Sequence, residues 1–255
     1  MAKTMSGFSA GFTSKPSNGA PPRNLIRNEI LLGLPRKERD LVSPELEAIA
    51  LETHELLNEI GEPIRYCYFP NSGMVSILSV MGDGKSVEVG VTGKEGFVGL
   101  PLVVGLNTSA TRALVQIAGH AFRMRAADLE RLLPKCPQLE KTLNRYTQLL
   151  GLQATQVAAC NRLHEVNQRL ARWLLMSQDR IDEDLVPLTQ EFLAHMLGTR
   201  RASVTVAAGV LQKAGLIHYT RGSVIIANRS KLEAAACECY EIMTQQYRNW
   251  QNELR

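Results

Sequence analysis

No proline stands between Pro137 and Pro187, and this gap constrains the fold more than any other feature of the chain. Proline locks φ and removes a donor, so a proline-free stretch of that length can run as long helix. Upstream the chain is instead cut by Gly, Pro, Asn and Asp into short runs suited to strands. Two kinds of structure are therefore imposed in succession. The 255 residues, 45% of them hydrophobic and 21% charged, suffice for two modest cores. No apolar stretch reaches the roughly 18 residues needed to cross a bilayer. Met1 to Asn24 lack the apolar centre of a secretory signal, so a cytoplasmic protein without a membrane partner is expected. Five cysteines in no regular framework suit thiols in a reducing compartment. The charge surplus of 29 − 25 = 4 is too small to name a partner.

Met1 to Asn24 carry Gly, Ser, Pro, Asn and Thr with Lys3, Lys15 and Arg23 and no acid, which predicts a disordered basic tail. Helical spacing begins with Leu25, Ile30 and Leu34 and returns over Pro44 to Leu57, where Leu46, Ile49, Ala50 and Leu57 recur. Between Gly61 and Met124 four β-rich runs follow: Ile64 to Phe69, Met74 to Met81, Ser86 to Val91 and Ala113 to Ala118. They predict a small antiparallel barrel or roll, with Gly82-Asp83-Gly84-Lys85 as a hairpin turn. Beyond Pro137, Leu139, Leu143, Tyr146, Leu150, Val157 and Cys160 fall on a coiled-coil-like seam interrupted by Gln153 and suggest a homodimer interface. A second stripe, Leu149, Leu152, Ala159, Leu163, Val166, Leu170 and Trp173, lies on another face. A helix buried inside one monomer is the alternative reading of the seam.

The segment Leu188 to Val204 reads as helix, tight turn, helix. Thr189 can cap the first helix, Gly198 turns the chain, Thr199 can cap the second helix and Gly215 can close it as a C′ residue. Val204, Ala208 and Leu211 give the second helix one apolar face, and Ala202, Thr205, Val206, Gly209 and Lys213 project to the other side. Leu216 to Thr220 and Ser223 to Ala227 then form two short strands around Arg221-Gly222, a wing with a basic tip. From Phe192 to Leu232 there is no acid, while Arg200, Arg201, Lys213, Arg221, Arg229 and Lys231 add six positive charges. A one-signed surface of this kind attracts phosphate, and with a wing behind a helix-turn-helix it points to DNA.

These residues, together with Ala159-Cys160-Asn161-Arg162-Leu163-His164, Gln168 to Leu175 and Ala234 to Tyr240, make the chain resemble a Crp/Fnr-family transcription regulator over roughly 25 to 240. The resemblance implies an α+β chain: an N-terminal antiparallel β-roll of the cyclic-nucleotide-binding kind, a long dimerisation helix and a C-terminal winged helix-turn-helix. It implies a basic tail over 1–24, a roll with flanking helices over 25–133, the dimerisation helix and hinge over 134–180, and the DNA-binding domain with a C-terminal helix over 181–255. Double-stranded DNA, a second copy of the chain and RNA polymerase are the implied partners. The DNA-binding set is Thr189, Thr199, Arg200, Arg201, Ala202, Ser203, Thr205, Val206, Lys213 and Arg221. The best-known family pattern places Arg, Glu and a later Arg at the bases. Here Arg201 matches the first Arg, Ala202 replaces the Glu and Val206 replaces the second Arg.

Family members that bind cyclic AMP supply a Glu for the ribose and an Arg followed by Ser or Thr for the phosphate. Of the candidate effector positions Phe97, Gly99, Leu100 and Arg112, Phe97-Val98-Gly99 fits the turn and Arg112 sits near the expected Arg. Leu100 or Pro101 stands where the Glu belongs, and Ala113 follows the Arg. A cyclic phosphate needs charge-assisted donors, so the effector site reads as degenerate and no effector is assigned. No cofactor or metal is expected either. An iron–sulfur sensor of the family type needs an N-terminal run of thiols that residues 1–66 lack. Cys237 and Cys239, two apart on an expected helix, should point to different faces. Among His54, His120, His164, His195 and His218 nothing singles out a haem ligand. The alternatives are a cyclic-nucleotide- or redox-responsive regulator of the same family, a dimeric scaffold that never touches DNA, and a cupin-like enzyme. The last lacks clustered ligands, since the roll offers only His120 with scattered Glu62, Asp83, Glu88 and Glu95, and no catalytic residue is assigned.

Overall fold

A computed structural model describes residues 26–181, 185–220 and 222–254. The basic tail over 1–24, Leu25 and Arg221 lie outside the described residues. The chain opens with two short helices, α1 (Glu29–Leu32) and α2 (Arg36–Val42), the first capped by the Asn28 side chain, which accepts from Leu31 N at 3.1 Å. Seven strands follow: β1 (Glu47–Leu51), β2 (Leu56–Asn58), β3 (Tyr66–Pro70), β4 (Met74–Val80), β5 (Ser86–Thr92), β6 (Arg112–Ile117) and β7 (Gly119–Arg125). They pair antiparallel in two sheets, ordered β1-β7-β3 and β2-β6-β4-β5. Leu51, Tyr68 and Ala121 of one sheet meet Val75, Ala113 and Val115 of the other, and this interior makes the two sheets a roll. Between β6 and β7 the chain passes from one sheet to the other at Gly119, where a Cβ would stand 2.3 Å from the Ser72 carbonyl oxygen.

The four anticipated strand runs are present, and the hairpin at Gly82 to Lys85 joins β4 to β5, with Gly84 at φ +81°. The helix expected over Pro44 to Leu57 is absent. A 3₁₀ turn over Ser43–Glu45 leads into β1 and β2, so Leu46, Ile49, Ala50 and Leu57 share no helical face. Glu47 to Leu51 has helical composition. Its backbone instead pairs with β7 from Glu47↔Arg123 to Leu51↔Gly119, and the Arg123 guanidinium donates to both Glu47 carboxylate oxygens at 2.8 and 3.0 Å. Edge pairing and the burial of Leu51 and Leu57 override local preference.

Helices α3 (Ala126–Leu132), α4 (Pro137–Leu163) and α5 (Val166–Ile181) fill the proline-free region and its approach. The helical region is broken between α4 and α5: α4 ends at Leu163, and the His164 that follows has extended backbone at ψ 149°. The seam residues also face inward. Leu139, Leu143 and Tyr146 are buried with Phe69, Phe97 and Trp250, and Val157 joins a cluster with Leu170 and Trp173. The cover over Tyr146 is the C-terminal helix α9 (Cys239–Leu254), which lies against α4 and sets Trp250 5.5 Å from the Tyr146 ring. The periodicity marked a buried face, and the partner is the chain's own last helix. The face left open carries Asn144, Gln148, Gly151, Leu152, Thr155, Ala159 and Leu163.

After α5 come β8 (Leu185–Pro187), α6 (Gln190–Met196), α7 (Arg201–Lys213), β9 (Ile217–Thr220), β10 (Ser223–Ile226) and α8 (Arg229–Ala235). The three strands form a sheet ordered β8-β10-β9. Met74, Leu78, Val91 and Ile117 of the roll share one cluster with the apolar residues of α5, α6 and α7, so roll and C-terminal head are packed together. Among the described residues no helix is long and apolar enough to cross a membrane.

Candidate nucleic-acid interface

Helices α6 and α7 are joined by the same device that ends α7. Gly198 at φ +55° lets its own N–H reach the His195 carbonyl and the Thr199 N–H reach that of Ala194. Gly215 at φ +69° does likewise, with its N–H on Gln212 and the Leu216 N–H on Leu211. Thr189 caps α6, its hydroxyl accepting from Phe192 N at 3.2 Å. Thr199 does not cap α7: the N-cap is Arg200, and no side chain accepts there.

Helix α7 buries Val204, Ala207, Ala208 and Leu211 and exposes Arg201, Ala202, Thr205, Val206, Gly209 and Lys213. Ser203 is half-buried at the edge. Val206 is 68% exposed, an apolar side chain left in water on a helix whose other face is fully packed. Arg200 and Arg201 are exposed and form no salt bridge among the described residues. Across the turn, the Thr205 hydroxyl donates to Gln190 Oε1 at 2.8 Å. Gln190, the first residue of α6, thus belongs to the same polar surface, a role that only the three-dimensional crossing of α6 and α7 reveals.

The basic field is narrower than its sequence count. Arg229 is half-exposed but already committed, donating to Asp179 at 2.7 Å, Glu233 at 2.9 Å, Gln178 at 2.6 Å and Tyr240 at 2.6 Å. Arg169, which is buried, reaches from α5 to the Leu197 carbonyl in the helix-turn-helix turn and to Asn161 Oδ1 at 2.8 Å.

In the roll, Phe97 is fully buried against Phe69 at 4.9 Å between ring centres. Gly99 has φ +114° and brings the backbone onto Cys67, where a Cβ would stand 2.9 Å from the Cys67 Cβ. Leu100 opens a 3₁₀ turn over Leu100–Val104. Arg112 is engaged by Glu59, donating from Nε at 3.1 Å and from Nη2 at 2.7 Å. A cavity of about 270 Å³ opens elsewhere, between β5, α4, α5 and α9, and none of Phe97, Gly99, Leu100 and Arg112 lines it.

The thiols depart most from expectation. Helix α8 ends at Ala235 and Ala236 is extended at ψ 159°, so Cys237 lies off any helix and Cys239 only begins α9. Both turn toward the end of α4. Cys237 Sγ is 3.5 Å from Cys160 Sγ, and Cys239 Sγ is 3.5 Å from His164 Nδ1.

Residues 48–136 match the cyclic nucleotide-binding domain family and residues 168–235 the Crp-like helix-turn-helix domain family. Among solved structures, FixK2 from Bradyrhizobium japonicum is 17% identical at a TM-score of 0.65, covering 75% of this chain and 98% of that one. The c-di-GMP responsive global regulator CLP of Xanthomonas campestris is 19% identical at a TM-score of 0.63, covering 75% of this chain and 99% of that one. A putative transcriptional regulator of the crp/fnr family from Eubacterium rectale is 14% identical at a TM-score of 0.62, covering 81% and 96%. No curated protein matches the chain by sequence. At such identities the likeness in structure is one of fold, and the two domain matches, in this order along one chain, carry the assignment. The chain belongs to the Crp/Fnr family of DNA-binding transcription regulators.

Proposed function

We propose that the chain works in the cytoplasm as a homodimeric, sequence-specific regulator that places α7 of each copy in a DNA major groove and answers to RNA polymerase. It has no catalytic role on this reading. The observation that carries it is the two-faced character of α7: one side fully packed, the other bearing small and apolar side chains beside two uncommitted arginines. Small residues permit close approach to base edges, and the methyls of Ala202 and Val206 can meet thymine methyls. Arg201 has the fork that fits guanine, while Arg200, Ser203, Thr205, Lys213 and Arg221 serve phosphates. Thr189 and Thr199 stand at the ends of α6, where the backbone of the duplex would pass.

Dimerisation is assigned to the open face of α4, where Gly151, Thr155 and Ala159 allow a second helix to approach closely and Leu152 and Leu163 supply apolar contact. Leu163 is 74% exposed in the single chain. On this reading 25–133 is the sensor-type unit, 134–180 couples it to the reading head, and 181–255 binds DNA. Cyclic nucleotides are not its signal, because Arg112 is already held by Glu59 and no hydroxyl residue follows it. A mobility-shift assay on the chain's own promoter region tests the reading. A discrete complex that resists competitor DNA supports it, and only diffuse, competitor-sensitive binding refutes it.

A further inference from the structure

Cys160, His164, Cys237 and Cys239 come from two places far apart in sequence, the last turn of α4 and the α8–α9 junction, yet their ligand atoms all lie within 4.8 Å of one another. All three cysteines are buried. Two of the closest pairs, Cys160 to Cys237 and Cys239 to His164, are each 3.5 Å apart. Zinc binds thiolate sulfur at about 2.3 Å and imidazole nitrogen at about 2.0–2.1 Å, so two sulfurs on a zinc tetrahedron stand about 3.8 Å apart. The four atoms need only small shifts to become the corners of that tetrahedron.

The surroundings are those of a metal site. His164 presents Nδ1 to the thiols, while its Nε2 meets the Glu238 carboxylate at 3.1 Å. That is the arrangement that fixes tautomer and ring orientation for a metal-bound imidazole. Gln156 Nε2 donates to Cys239 Sγ at 3.1 Å, a bond suited to a thiolate acceptor. Two buried cations border the group: Arg169 and Arg172 form no salt bridge among the described residues, and each keeps a buried Nε without a hydrogen-bond partner. Buried guanidiniums without a carboxylate are costly, and anionic sulfur beside them offsets that cost.

We propose that Cys160, His164, Cys237 and Cys239 bind one Zn²⁺ ion in a closed Cys₃His site that clamps the end of α4 to the α8–α9 junction. Sulfur-rich tetrahedral coordination selects zinc, and four protein ligands leave no open position, so the site is structural. On binding, each cysteine loses its thiol proton to solvent and forms one Zn–S bond, and the neutral imidazole gives its Nδ1 lone pair. The product carries one net negative charge, which the neighbouring arginines balance. Since Arg169 also reaches the Leu197 carbonyl in the helix-turn-helix turn, the clamp bears on how the reading head sits against α4.

The test uses the full chain, reduced and stripped of metal with a chelator, then titrated with Zn²⁺ or Co²⁺. Expected results are one metal per chain, an absorption spectrum of tetrahedral Co²⁺ with intense thiolate-to-cobalt charge transfer, and a melting temperature that rises with metal concentration. Cys237→Ser and His164→Ala should each lower the charge-transfer band or the affinity. Should these variants fail to fold, Glu238→Gln at an exposed carboxylate decides, with an expected weakening of about 10- to 100-fold. An octahedral Co²⁺ spectrum, binding unaffected by all of these changes, or no stoichiometric binding would overturn the site. So would a Cys160–Cys237 disulfide in protein isolated under reducing conditions, or an iron–sulfur chromophore in place of zinc.

Discussion

Two arginines that the sequence resemblance singles out meet opposite fates. Arg201, at the start of α7, stands in water with no salt bridge among the described residues. Arg112, at the start of β6, is closed off by a fork of hydrogen bonds from its guanidinium to Glu59. A cation already paired inside the chain must lose that partner before it can bind a phosphate, whereas an unpaired one loses only water. The difference leaves the cation on α7 free and the one in the roll committed, so of these two charges it is the one on the helix-turn-helix that is available to an anion.

Breaking the proposed dimer should have the largest effect on the head's side of this contrast. Leu152→Asp with Ala159→Asp, on the open face of α4, should give monomers by sedimentation and lower operator affinity to the non-specific level, a loss of about 4–10 kcal/mol. Leu143→Asp should instead unfold or destabilise the chain, because Leu143 is fully buried against its own core.

The link between roll and head should be sensitive to pH. Glu88 on β5 is buried, accepting from Trp173 Nε1 at 2.7 Å and Ser76 Oγ at 2.6 Å, and burial pushes its carboxyl up to about 7. Because the folded chain holds this proton more tightly than the unfolded one, the stabilisation is fully present below the ordinary carboxylate range and is lost as pH rises through about 7. Glu88→Gln should therefore be more stable than the parent at pH 8 by on the order of 3 kcal/mol, with the gap closing toward pH 4. Thermal unfolding across that range measures it, and parallel curves for the two proteins would contradict it.

Arg201→Ala should cost about 1–3 kcal/mol on the specific operator and relax the choice of base at one position. Binding to single-substituted operators reads this out. The smallest effect belongs to the closed arginine: Arg112→Ala should change stability by roughly 0–1 kcal/mol, because its ion pair with Glu59 is partly solvent-exposed. Calorimetric titration of the parent with cyclic AMP or cyclic GMP should give no isotherm in the micromolar range. A clear one would reopen the roll as a nucleotide site.

What could be read from the chain alone follows the distance over which each feature is decided. The helix-turn-helix is local: Gly198 and Gly215 are placed where a left-handed residue ends each helix, and Val204, Ala208 and Leu211 show the buried side of α7 within one stretch. Strand β1 was not legible, because Glu47 to Leu51 is settled by a partner strand that pairs from Glu47↔Arg123 to Leu51↔Gly119, far along the chain. The α4 seam shows what distance hides: periodicity states that Leu139, Leu143 and Tyr146 are buried, but not that α9 covers them. The thiol cluster depends on a helix break at 236–238 that the sequence does not announce. The spacing of Cys237 and Cys239 separates them on a helix and brings them together once α8 stops at Ala235.

The central claim, that the uncommitted face of α7 reads DNA, is tested most directly by measuring operator affinity over a salt series for the parent, Arg200→Ala and Arg201→Ala. A specific complex is predicted for the parent, with log K falling linearly against log salt. Arg200→Ala should weaken all sequences alike and reduce the slope by about 1, whereas Arg201→Ala should weaken the operator selectively and leave the slope nearly unchanged. Equal affinity for operator and random duplex in the parent, or no change in either variant, would contradict the account.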